Sequence, residues 1–492
     1  MNAPAKTDAR AAVHTPPQHF IGNRWTPPHG GQTLPMIDPS TGQPFAAIAR
    51  GDAADIDVAV KAAREAFDGA WGALAPAEKG RLLGKLSRAI ADHADELALI
   101  EAIDCGKPLK QARADVAACA RYFEFYGGAC DKLHGETIPY PREFTVLTWR
   151  EPHGVTGHII PWNYPLQIFG RSVGGALAAG NACVVKPAED ACLSLLHVAE
   201  LAADIGLPPG ALNIVTGLGR EAGAALASHP GVDHVSFTGS PPTGAWVAQE
   251  AAKRHCPVTL ELGGKGPQIV FADADVDAAL PVLVNAIVQN AGQTCSAGSR
   301  LLVERSRYEE VLERLGAKFA ALTVGPALAD LDCGPLIRAS QLDRVRGFLE
   351  DAARDRIATV ASGTVAADAP ASGYYVVPTL LRDVATTCRI ACDEVFGPVL
   401  AAMPFDDEAD AARIANATEF GLVAGIWTRD GGRQLRMAKA VRSGQVFVNN
   451  YGAGGGVELP FGGVKHSGYG REKGFEALYG FTTLKTVVLR HG

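Results

Sequence analysis

The 492-residue chain has no uninterrupted apolar run of about 18 residues, so no membrane-spanning helix is expected. Its start, Met1 to Phe20, lacks the apolar core of a secretory signal. No run of Lys and Arg offers a surface that could track phosphates, and the net charge is −7, so no nucleic-acid partner is expected. No CxxC pair occurs among the ten cysteines. Cys388 and Cys392 stand as a lone CxxxC without a neighbouring His, which argues against both a metal site and a disulfide framework. No internal period of about 20 to 50 residues repeats, and no low-complexity linker divides the chain. These absences point to a cytoplasmic protein with free thiols and a disordered leader of ~15 residues.

What remains is ordinary globular composition, 47% hydrophobic and 20% charged, at a length that calls for two or three domains. Asp52 is placed to cap a helix whose Ile56, Val60, Ala63 and Phe67 share one face. A second helical stretch is read from Ala77 to Ile103, stopping near Gly106 and Pro108. From 155 to 262 the pattern changes. Short apolar runs at Val155–Ile160, Ala182–Val185, Leu212–Val215, His234–Phe237 and Val258–Leu262 alternate with helix-like stretches at Leu166–Ala179, Cys192–Ile205, Arg220–Ser228 and Thr243–Lys253. That alternation predicts an α/β fold with a parallel sheet covered on both faces. Ligands of such sheets sit beyond the carboxyl ends of the strands, where Lys186, Glu189, Gly239 and Ser240 fall. Gly135 to Arg150 alternates around two prolines like an edge hairpin, and Thr482–Arg490 is strand-like. Strands outside the main sheet can pair between subunits, so a homodimer or homotetramer is expected.

The glycines give no clean phosphate fingerprint. Gly217-Leu-Gly219-Arg-Glu-Ala-Gly223 has one residue too many for GxGxxG. The cluster from Gly452 to Gly456 precedes no helical pattern and reads as a loop.

Three residues carry candidate chemistry. Cys295 lies among small neighbours in Gln289-Asn-Ala-Gly-Gln-Thr-Cys-Ser-Ala-Gly-Ser299, which leaves room for a substrate; a nucleophilic thiol also needs a depressed pKa. The alternative is a buried, inert cysteine. Asn163, in a turn held by Pro161 and Pro165, is either a fixed oxyanion donor or a cap of the next helix. Glu261 ends an apolar strand, where it serves as a general base or pairs with a nearby cation.

Taken together, the motifs resemble the aldehyde dehydrogenase superfamily from about Phe20 to the C-terminus. They are Gly157-His-Ile-Ile-Pro-Trp-Asn163, Lys186-Pro-Ala-Glu189, Phe237-Thr-Gly-Ser240, Leu260-Glu-Leu-Gly-Gly-Lys265 and Gly292-Gln-Thr-Cys295. Glu394-Val-Phe-Gly-Pro398, then Pro460-Phe-Gly-Gly-Val-Lys465 with Ser467-Gly-Tyr-Gly-Arg-Glu472, complete the order.

The resemblance implies two parallel-sheet α/β domains and a small β arm for oligomerisation. Residues 1–129 and 152–263 would form a modified Rossmann domain that binds NAD, residues 264–463 the catalytic domain, and 130–151 with 479–492 the arm. It implies NAD-dependent oxidation of an aldehyde through a Cys295 thioester hydrolysed by water that Glu261 activates, with Asn163 holding the oxyanion. Phe237, Gly239 and Ser240 would seat the pyrophosphate at a helix N-terminus. Lys186 and Glu189 would hold the adenosine ribose, and a carboxylate there disfavours a 2′-phosphate, so NAD is expected over NADP. Ile159, Pro161, Trp162, Gly219, Gly223 and Leu262 would line the cofactor, and Glu394 and Phe396 would position its nicotinamide half. Tyr164, Arg171 and Gln289 are assigned to the substrate. Arg171 matches an Arg that binds the distal carboxylate in succinate-semialdehyde dehydrogenases, whose second Arg is Gln289 here; an acidic or polar semialdehyde follows. The resemblance also implies two gaps in the proton relay: Ser172 stands where many relatives have Lys, and Phe475 replaces an acidic residue. A CoA-acylating enzyme and a cofactor-independent cysteine esterase are the competing readings, and Glu261 argues for water as acyl acceptor.

Overall fold

The computed structural model describes residues 15–452 and 456–491. The leader expected to be disordered, and part of the glycine cluster that ends at Gly456, lie outside the described residues.

The five apolar runs form strands Val155–Ile160, Ala182–Pro187, Leu212–Ile214, His234–Thr238 and Val258–Glu261, all pairing in parallel. His19–Ile21 and Arg24–Thr26 extend one edge antiparallel, and Gly468–Tyr469 closes the other, giving eight strands. The central strands read as continuous apolar runs because helices such as Ala53–Asp68 and Pro165–Ala178 cover the sheet. Asp52 caps the first of these as expected: its Oδ1 accepts from Ala54 N at 2.8 Å, and Asp55 returns a bond to its backbone N at 2.9 Å.

Two sequence expectations need correction. The stretch from Ala77 to Ile103 is two helices, Pro76–Asp92 and Ala94–Cys105, with His93 between them at φ −104° and ψ +23°. No Gly or Pro marks that break, so the pattern alone did not reveal it. The helix expected at Arg220–Ser228 opens as a π-helical turn, Gly219–Gly223, before an α-helical one.

A second sheet runs Thr359–Ser362, Thr379–Leu381, Val399–Phe405, Arg300–Glu304, Pro267–Val270, Val423–Trp427, Gln445–Val448, and is parallel except at its first strand. Each sheet has its own core. One gathers Phe20 through Leu262 with Ala477–Phe481, the other Ile269 through Val441. The fold is therefore α/β with two largely parallel sheets. The expected hairpin is a three-stranded arm: Phe144–Pro152 pairs with Thr137–Ile138 and, along its full length, with Thr482–Arg490.

Candidate active site

The strand Val155–Ile160 ends at Pro161, and Pro165 occupies the first turn of the next helix, so the intervening turn is fixed at both ends. Tyr164, not Asn163, is the N-cap residue, and it makes no side-chain cap bond. The Asn163 amide instead donates to Gln293 O at 3.0 Å, which leaves its second N–H for another acceptor.

The loop before Cys295 is held in an unusual conformation. Asn290, Ala291 and Gly292 have φ of +48°, +54° and +70°, and a Cβ on Gly292 would lie 2.2 Å from Gly397 O. Hydrogen bonds hold it there. Asn290 Nδ2 donates to Asn163 O at 2.8 Å, Asn290 N donates to Gln111 Oε1 at 2.9 Å, and Ile337 N donates to Gln293 Oε1 at 2.9 Å.

Cys295, Asn163 and Glu261 border one cavity of about 740 Å³. Pro161, Trp162, Gly239, Ser240, Leu262, Glu394 and Phe396, all expected on the cofactor side, line the same cavity. Burial raises the Cys295 thiol to about 12, with Arg171 pulling it down and Glu394 and Glu261 pushing it further up. The depressed pKa expected of a nucleophile is therefore absent, and the resting thiol is protonated at neutral pH.

Glu261, at the end of Val258–Glu261, is 1% exposed, and neither carboxylate oxygen has a hydrogen-bond partner among the described residues. Burial raises its pKa well above the usual range; Arg171 lowers it, and Glu472 raises it further. Gly462, at φ +154°, makes room for it, since a Cβ there would lie 2.8 Å from Oε1. Glu394 accepts from Gly264 N at 2.9 Å, and burial raises it to about 7.

Two glycines let the walls of the cleft pack closely. A Cβ on Gly239 would meet the Phe237 ring at 2.5 Å, and one on Gly263 would meet Glu394 Oε2 at 2.6 Å. Lys186 Nζ donates to Glu189 Oε2 at 2.9 Å, and Gly219 N donates to Glu189 Oε1 at 3.5 Å. Gly223 packs beside the Lys186 stem, whereas Ile159 packs against the core and does not line the cavity. The helix Pro241–Ala252 starts with two prolines, so two of the N–H donors expected for an anion are missing.

The substrate assignments fare worse. Arg171, 7% exposed, forms a buried ion pair through Nε with Glu472 Oε2, donates from Nη2 to Thr238 Oγ1 at 3.3 Å, and lies 5.0 Å over the Phe461 ring. Its charge is already matched, which removes the argument for an acidic substrate. Gln289 ends the helix Val276–Val288 and does not line the cavity, and Tyr164 lies under Lys107 Nζ at 4.5 Å. Phe475 packs edge-on against Tyr479, and the nearby Glu472 accepts from Ser236 Oγ at 2.8 Å. Ser172 belongs to the same polar chain, 2.9 Å from Ser236 Oγ and 2.8 Å from His158 Nδ1. Sequence reasoning quoted Asn290, Gln293 and Glu472 inside its motifs without giving them roles. The signal available was Asn290 and Gly292 before the cysteine, residue types that visit a left-handed backbone, with Ala291 held there between them.

A thiol, a buried carboxyl without a hydrogen-bond partner among the described residues and an amide with one N–H left over thus border one cleft between the two sheets' halves of the chain. The sequence profile described as "Aldehyde dehydrogenase family" matches residues 25–487. A hydroxyisobutyraldehyde dehydrogenase of Mycolicibacterium austroafricanum is 43% identical over 99% of this chain and 96% of its own length. A candidate aldehyde dehydrogenase from Burkholderia cenocepacia has a crystal structure that is 70% identical, with TM-score 0.96 over 96% of this chain and all (100%) of that one. The NAD+ complex of an aldehyde dehydrogenase from Bacillus cereus is 38% identical, with TM-score 0.96 over 100% of both chains. The chain belongs to the aldehyde dehydrogenase family and is an oxidoreductase acting on aldehydes.

Proposed function

We propose that the protein oxidises an aldehyde to its acid with NAD, through Cys295 as nucleophile and Glu261 as the base for hydrolysis. Lys186 and Glu189 would hold the adenosine ribose, Phe237, Gly239 and Ser240 the pyrophosphate, and Glu394 and Phe396 the nicotinamide half. Bound NAD would supply the hydride acceptor, a cofactor choice supported by the Bacillus cereus relative solved with NAD+.

The Cys295 sulfur adds to the carbonyl carbon as the thiol proton passes to water in the cleft. The free Asn163 N–H and the Cys295 backbone N–H stabilise the oxyanion. Loss of hydride leaves an acyl thioester on Cys295. Glu261 then takes a proton from the water that attacks the thioester and passes it to the departing Cys295 sulfur, releasing the acid and restoring the thiol. One observation carries this reading: Glu261 is buried, borders the same cavity as Cys295, and has no hydrogen-bond partner for either oxygen among the described residues. A base so placed serves water, whereas CoA as acyl acceptor needs none.

Glu261→Gln is expected to retain a first-turnover burst of NADH while steady-state turnover falls about 10²- to 10⁴-fold. Unchanged steady-state turnover would remove Glu261 from the mechanism. A carboxylate at Glu189 supports NAD over NADP. The cofactor domain is assigned to 1–129 and 152–263, the catalytic domain to 264–463, and the arm to 130–151 and 479–492. Exposed Trp149, Leu484 and Val488 on the arm support pairing between subunits, and ten free cysteines support a reducing cytoplasm. No helix among the described residues is long and apolar enough to cross a membrane.

A further inference from the structure

Beside Glu189 lies a second, smaller cavity of about 170 Å³, bordered by Glu189, Asp190, Leu218, Arg338 and Tyr374. Arg338 comes from the other sheet's half of the chain, just before the helix Ala339–Arg354, and also borders the 740 Å³ cavity. Its guanidinium forms an ion pair with Asp190 Oδ2 and lies 5.8 Å over the Trp162 ring. Its neighbour Ile337 is tied to Gln293, so the backbone that presents Arg338 is anchored to the catalytic loop. Two acid–base pairs therefore stand side by side, Lys186 with Glu189 and Arg338 with Asp190.

We propose that the Asp190–Arg338 pair is a determinant of dinucleotide choice, with Asp190 occupying a cation that would otherwise bind a ribose 2′-phosphate. The inference rests on the reading that Glu189 holds the adenosine ribose. An arginine fork suits a phosphate and is the residue type best able to take one in two-pronged fashion. While Asp190 holds it, the guanidinium is neutralised, and a dianionic phosphate would meet the carboxylates of both Asp190 and Glu189. Removal of the Asp190 charge frees the guanidinium next to a space large enough for a phosphate group. The Arg338 side chain is 44% exposed, so it can reorient toward that space.

Equilibrium titration with NADH and NADPH, read by nicotinamide fluorescence, tests this without turnover. Asp190→Asn is expected to tighten NADPH relative to NADH by about tenfold, the scale of one charge-assisted phosphate contact. Arg338→Gln is expected to give no such gain, and Asp190→Asn combined with Arg338→Gln is expected to lose it. If Asp190→Asn leaves the NADPH to NADH ratio unchanged, or if its gain survives the loss of Arg338, the inference fails. Glu189→Ala separates the two readings. Weaker NADH binding in that variant upholds the ribose assignment whatever Asp190 does, and unchanged NADH binding overturns the assignment on which the inference stands.

Discussion

Cys295 borders two very different surroundings. Toward the cofactor side lies the 740 Å³ cavity, where Glu261 has no hydrogen-bond partner among the described residues and glycines let the walls pack closely. Elsewhere the thiol packs against Phe461 and Tyr451, and Phe461 in turn carries the Arg171 guanidinium that Glu472 neutralises. One region is built to receive something, and its polar groups await partners. The other has satisfied its own charges. A charge near a reaction centre is evidence of a ligand only when the protein has not already paired it.

That contrast can be broken most forcefully at Arg171. Removing one member of a buried ion pair strands the other, so Arg171→Met is expected to cost about 3–5 kcal/mol of stability in denaturant unfolding. Arg171→Met with Glu472→Leu should recover most of that loss, because neither charge is then left alone. Recovery would confirm a structural pair. If Arg171→Met instead left stability intact and raised KM only for carboxylated aldehydes, the arginine would be a substrate ligand and the contrast would collapse.

A smaller effect is expected on the receptive side. Asn163→Ala should lower kcat by about 10²- to 10³-fold, the usual cost of one oxyanion donor, while NADH binding by fluorescence stays within twofold. An equal loss in kcat and in cofactor affinity would show that Asn163 acts by bracing the loop through Gln293 and Asn290, not by touching the oxyanion.

How legible these regions were follows from their physics. The strands from Val155 to Glu261 alternate with helices and are buried on both faces, so composition and spacing alone disclosed the sheet. Asn163, Glu261 and Cys295 stood out locally, each at an element end or in a loop of small residues, but their roles came from the ordered motifs that resemble the aldehyde dehydrogenases. The break at His93 was hidden, since the residues there favour helix on either side. The ion pair of Arg171 was hidden for a different reason. Its partner Glu472 lies far along the chain, and only the fold brings the two together. The same is true of Asp190 and Arg338.

The mildest test concerns protons at the boundary between the two surroundings. The Cys295 thiol is raised to about 12, chiefly by burial, and burial also raises the Glu261 carboxyl. Only the thiolate alkylates, so the rate of inactivation by iodoacetamide should rise about tenfold per pH unit from pH 7 to pH 9 without a plateau. The sign is fixed by direction: a raised thiol pKa leaves reactivity still climbing where a depressed one would already have levelled. Arg171→Met removes the cation that lowers the thiol pKa and should slow alkylation further at every pH, whereas Glu394→Gln, which removes an opposing charge, should speed it. A plateau near pH 7 in the resting enzyme would mean that the thiol is already ionised, and that Arg171 acts on the thiolate more strongly than burial does. The charges on the closed side would then belong to catalysis as much as those facing the cleft.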